Sequence, residues 1–120
     1  EQFFEKAKKI YEDIIREGKN LKSDDLMNVY LLLSKIYKFN KSYFTAKKVV
    51  EEAIDKLSDK RDILRLEQLK ILEEEENWDE LLWRANAYLN ETENDEIKKE
   101  LQKFIEMCYE RVDKLNKKEK

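Results

Sequence analysis

Apolar residues recur every three or four positions along nearly the whole chain, and no stretch alternates with period two. This pattern predicts helices throughout. Phe3, Phe4, Ala7, Ile10, Tyr11, Ile14 and Ile15 form a first stripe that stops near Gly18, the residue type best suited to the left-handed turn that ends a helix. After a polar connection over 19–22, Ser23 reads as an N-cap with Asp24 and Asp25 in the first turn, where the helix dipole favours negative charge. The second helix runs to about Phe39. It carries Leu26, Met27, Val29, Tyr30, Leu31, Leu32, Leu33, Ile36, Tyr37 and Phe39, which cover more than one face. Such a helix is central, or it offers a second apolar face to something else.

A third helix is expected over about 42–57, with Tyr43, Phe44, Ala46, Val49, Val50, Ala53, Ile54 and Leu57 as its stripe. A fourth, over about 60–76, is more ragged: Ile63, Leu64, Leu66, Leu69, Ile71 and Leu72. Asn77 followed by Glu80 has the spacing of a capping box and opens a fifth helix that buries Trp78, Leu81, Leu82, Ala85, Tyr88 and Leu89. A sixth begins near Asn94 and carries Ile97, Leu101, Phe104, Ile105, Cys108, Val112 and Leu115 before a lysine-rich end. The connections are short, as antiparallel neighbours require, and no composition shift marks a domain boundary.

The pattern repeats. Phe4 with Ala7, Tyr43 with Ala46, and Trp78 with Leu81 each pair an aromatic with a small or aliphatic residue three positions on, and the apolar positions continue four and seven residues further. Phe4 and Tyr43 are 39 residues apart, and Tyr43 and Trp78 are 35 apart, the period of stacked helix pairs. The best unit has Tyr30, Leu33, Ser34 and Tyr37 in one helix and Ala46 and Val50 in the next. Over Met27–Leu57 it resembles a tetratricopeptide repeat. Ser34 and Ala46 are small where the two helices of a repeat would cross closely.

The resemblance is partial over Ile63–Leu89, where Leu69 replaces the small residue and Arg65 and Gln68 replace large apolar ones. Only a second-helix equivalent, Phe4–Glu17, stands before the best unit. The resemblance implies an all-α, right-handed α-solenoid of antiparallel pairs, about six helices in one domain over 1–120. Its parts would be an incomplete repeat (1–18), the best repeat (24–57), a divergent repeat (60–90) and a capping helix (94–117). The unpaired first helix and the start in mid-pattern suggest a piece of a longer protein.

In that family the first helix of each pair lines a concave groove. The resemblance therefore implies a partner-binding surface of Asn28, Leu31, Leu32, Lys35, Lys38 and Phe39, continued by Leu66, Glu67, Lys70, Glu73 and Glu74. Its occupant would be an amphipathic or acidic segment of another protein. Leu31 and Leu32 stand where modules that hold a terminal carboxylate need polar residues, so that ligand class does not fit. Phe3 and Phe4 form a second, separate candidate edge.

Composition narrows the chemistry. The chain of 120 residues has no His, no Pro, one Gly and one Cys. Imidazole catalysis, an internal disulfide, a cysteine zinc site and a glycine-rich phosphate loop are excluded. We expect no enzyme activity, no metal and no cofactor. The acidic run Glu73–Glu76 with Asp79 and Glu80 lacks calcium-loop spacing and reads as a solvated helix end, while Cys108 reads as a buried thiol.

Net charge is −3; residues 1–50 carry 11 basic and 7 acidic side chains, and residues 51–100 carry 8 and 17. The acidic middle disfavours nucleic acid. An RNA-binding repeat using Lys35, Lys38, Lys41 and Lys70 nevertheless stands as the alternative, together with a structural or regulatory part of a larger enzyme. Lys114, Lys117, Lys118 and Lys120 read as a solubilising end. No apolar run reaches the roughly 18–20 residues of a membrane span, and the single free thiol favours a reducing, cytoplasmic setting.

Overall fold

A computed structural model describes residues 2–17 and 20–118, with Lys118 described by its backbone alone. The turn expected at Gly18, and Lys19 and Lys120, lie outside the described residues. Among those described there are six α-helices and no strand: α1 (Gln2–Glu17), α2 (Ser23–Phe39), α3 (Tyr43–Lys56), α4 (Arg61–Glu74), α5 (Trp78–Glu91) and α6 (Asp95–Lys118). A 3₁₀ turn over Ser58–Lys60, which the periodicity does not signal, precedes α4. The helices gather into two compact units, Glu1–Ile71 and Leu72–Lys120, and the division falls inside α4. No helix of the described residues is long and apolar enough to cross a membrane.

In the first unit α2 packs on both α1 and α3. Its core stripe of Tyr30, Leu33, Ser34 and Tyr37 is buried, as are Ala46, Val50 and Ala53 of α3. Ser34 and Ala46 have no solvent exposure, so the small residues sit inside the packed layer, where a larger side chain would hold the helices apart. Among the described residues the Ser34 hydroxyl is buried without a hydrogen-bond partner. Burial pushes the Tyr30 phenol pKa upward, with Lys56 opposing and Glu52 adding to the shift. None of the described residues of α1 is fully buried, so its apolar stripe is only half covered. In the second unit α5 packs on α6, and Leu81, Ala85, Tyr88, Leu101, Phe104 and Cys108 are buried.

The helix ends show which local signals operate. Asn77 accepts a hydrogen bond from the Glu80 amide at 3.4 Å and caps α5. The Glu80 carboxylate does not return the bond; it accepts from Arg84 Nε at 2.8 Å. Asn94 caps α6, accepting from the Glu96 and Ile97 amides at 3.0 and 3.2 Å. Ser23 does not cap α2. The cap position is Lys22, with no side-chain bond, and the Ser23 hydroxyl donates to the Asp59 carboxylate at 3.0 Å. A tertiary partner in the 3₁₀ turn has taken the hydroxyl that local sequence assigned to the backbone.

Two connections have the same geometry. After α2, Lys41 has φ 61°, its amide bonds to the Lys38 carbonyl, and the Ser42 amide bonds to the Tyr37 carbonyl. After α4, Glu76 has φ 60°, its amide bonds to the Glu73 carbonyl, and the Asn77 amide bonds to the Leu72 carbonyl. Both are Schellman turns, which satisfy carbonyls left over at a helix end. Each places a non-glycine residue in the left-handed region, where a Cβ is disfavoured. Each is followed by a polar residue and then an aromatic, Ser42–Tyr43 and Asn77–Trp78.

Candidate functional site

On α2 the positions Asn28, Leu32, Lys35 and Phe39 are spaced by four, three and four residues. They therefore form one stripe, turned away from the buried face of Tyr30, Ser34 and Tyr37. Leu32 is 43% exposed and Phe39 92%. Beside α2, α1 presents Phe3, Phe4, Ala7 and Tyr11, with Phe3 88% exposed. The two surfaces enclose a groove of about 480 Å³ lined by Phe3, Phe4, Ala7, Tyr11, Leu32, Lys35, Ile36, Phe39 and Asn40. Lys35 is the single charged side chain among these.

The inner wall is pinned from beneath. Phe4 meets Tyr37 edge-on, with ring centres 5.7 Å apart and an interplanar angle of 78°. The Tyr37 hydroxyl donates to Glu12 Oε1 at 2.8 Å, tying α2 back to α1. Burial, the bond to Glu12 and the charges of Glu12 and Glu5 push the Tyr37 pKa up to about 12. The folded state thus favours the neutral phenol. Its stabilisation is complete below pH 10 and is lost as pH rises from 10 through 12. In urea unfolding, the wild type is expected to exceed Tyr37→Phe in stability at pH 9, and the gap is expected to close by pH 12. A gap constant with pH would show that the Glu12 bond does not discriminate the phenol from the phenolate.

The groove unites residues that the sequence placed in two candidates: Phe3 and Phe4 from one, Leu32, Lys35 and Phe39 from the other. Ala7, Tyr11 and Ile36 are further lining residues; their stripes were visible, their convergence was not. The other expected residues do not line it. Asn28 is exposed on the same stripe, and Leu31 is half-buried and packs against the core. Lys38 turns to α4, where its Nζ lies 3.4 Å from Glu67 Oε1, with 15% and 6% of the two side chains exposed. Leu66 is half-buried and Lys70 exposed on α4.

On the other side of α1 a second cleft of about 390 Å³ contains Glu12, Arg16, Glu52 and Lys56. Each of these four charged groups already has a partner: Tyr37 bonds Glu12, Arg16 pairs with Asp13, and Lys56 pairs with Glu52. Among the described residues no group of three or more His, Cys, Asp or Glu could hold a metal ion. Cys108 is buried, and burial with the nearby Glu73 charge raises its pKa, which favours the thiol over the thiolate.

A scan against protein-family models finds no match, and searches of the curated proteins and of the solved structures find none at significance.

Proposed function

We propose that this chain is a tetratricopeptide-like helical-repeat module whose function is to dock another protein. The site is the groove between α1 and α2, and its occupant is an amphipathic helix carrying an acidic residue opposite Lys35. The observation that carries this reading is the pair of phenylalanines, Phe3 and Phe39, exposed on opposite walls of one apolar groove. Residues 3–11 and 32–40 each extend about 12 Å along their helices. That length accepts apolar side chains at i, i+3 or i+4, and i+7 of an incoming helix. Covering each exposed Phe would contribute about 1.5–3 kcal/mol. Lys35 adds orientation rather than affinity. The repeat reading is supported by the two Schellman turns of the same geometry that precede the Tyr43 and Trp78 helices, whose starts are 35 residues apart.

The test is a double variant, Leu32→Ser with Phe39→Ser. Leu31 is left intact because it packs against the core. Captured from source lysate, a partner is expected to stay on the wild-type chain at high salt and to be lost with the variant. Helicity by circular dichroism is expected to be unchanged. Equal retention by both chains would remove the groove from consideration, and retention of salt-sensitive nucleic acid alone would favour an RNA-binding repeat.

A further inference from the structure

In the second unit α6 has 24 residues and α5 has 14, lengths of about 36 Å and about 21 Å. The Arg111 guanidinium lies 5.4 Å from the centre of the Trp78 ring at the start of α5. The turns of α6 beyond Arg111 therefore run past the end of its partner helix. The apolar stripe does not stop there. Leu101, Phe104 and Cys108 are buried, and Val112 and Leu115 continue in register at spacings of four and three, with Leu115 55% exposed.

Trp78 and Leu115 form the apolar part of a cleft of about 430 Å³, whose other walls are Arg111, Lys114, Lys117 and Glu76. Among the described residues none of these three cations makes an ion pair, although Glu110 and Asp113 lie within a turn of them. Lys99 and Lys103, on the same helix, each pair with a glutamate three positions earlier, at 3.9 and 3.2 Å. Acidic residues outnumber basic ones over 72–120 as a whole, so the cleft is a local reversal of charge.

We infer that this cleft is a second docking site, separate from the α1–α2 groove, and that it takes an acidic peptide segment of another protein with an aromatic or aliphatic side chain at its centre. The apolar side chain would cover Trp78 and Leu115 while its flanking carboxylates meet Arg111, Lys114 and Lys117. A long polyanion fits worse. Beyond three cations its phosphates would meet Asp79 and Glu80, in the first turn of α5.

The experiment uses the full chain with Trp83→Phe, so that Trp78 is the one indole reporting; Trp83 is largely exposed and tolerates the change. The probe is an end-blocked eight-residue peptide with a central Phe-Leu pair between six glutamates. Saturable change in Trp78 emission is expected. Affinity is expected to fall roughly tenfold in Lys114→Ala/Lys117→Ala, whose exposed positions leave folding intact, and to weaken with added salt. Leu32→Ser/Phe39→Ser is expected to leave it unchanged, which separates this site from the groove. Absence of saturation would overturn the assignment, as would equal binding of the lysine counterpart peptide or tighter binding of an oligothymidine. Self-association abolished by Lys114→Glu would give the cleft to a second copy and overturn it too.

Discussion

Exchanging Ala46 for leucine is expected to destabilise the protein by about 1–3 kcal/mol, the usual cost of forcing extra methylenes into a packed core. At this chain length that lowers Tm by roughly 4 °C per kcal/mol. Ala46 has no exposed surface and belongs to the core formed by Tyr30, Leu33, Val50 and Ala53. A leucine there must push α3 from α2 or leave its own rotamer well. Lys48→Leu on the same helix is the comparison. Its side chain is mostly exposed and its pair with Glu51 is a surface one, so it is expected to change stability by no more than about 0.5 kcal/mol. Thermal unfolding of the two variants decides the matter. Equal melting temperatures would mean that α2 and α3 leave room at Ala46, and the small-residue reading of the repeat would lose its physical basis.

The second large effect is expected at Glu67. Its carboxylate is almost wholly buried against Lys38. Glu67→Ala would leave the lysine without this partner in a largely covered position. Removing one partner of a fully buried pair costs about 3–5 kcal/mol; the residual exposure of Lys38 lets its ammonium reach water, and we expect about 2–4 kcal/mol. Replacing both, Lys38→Met with Glu67→Leu, removes the desolvated charges together and is expected to restore most of the loss. Denaturant unfolding of the two variants makes the comparison. A double variant as unstable as Glu67→Ala would show that the pair contributes packing volume, not charge compensation.

Much of the helical layout was legible in the residues. The period of three to four apolar positions predicts all six helices, with ends within a few residues of those observed. Asn77 announces its cap, and the start of the sixth helix near Asn94 is legible too, because an Asx side chain bonds the amides immediately ahead of it, a contact needing nothing outside the turn. Ser23 shows the limit of local reasoning. Its hydroxyl had two acceptable uses, and Asp59, 36 residues away, took it. The Lys41 and Glu76 turns were equally hidden, since left-handed positions are usually announced by glycine and neither is one.

The groove was legible only in halves. A wheel of α2 shows that its apolar residues exceed one face, and the stripe of α1 shows seven apolar positions. Neither wheel says which of them the other helix covers. Leu31 and Leu32 are adjacent and chemically identical, yet one packs against the core and the other lines the open groove. Lys38 and Lys35 differ in the same way: the first turns to Glu67 and the second faces the groove.

What the sequence by itself determined is therefore the set of helices, the Asn77 cap and the existence of a surplus apolar face, all consequences of contacts within a few residues. The tertiary structure alone decided where that surplus stays open. Exposure depends on how neighbouring helices are rotated and offset, and that is set by side chains meeting across tens of residues of chain. The Phe4–Tyr37 contact, the Tyr37–Glu12 bond and the Lys38–Glu67 pair each join residues 25 or more positions apart, a separation at which no local pattern specifies the partner.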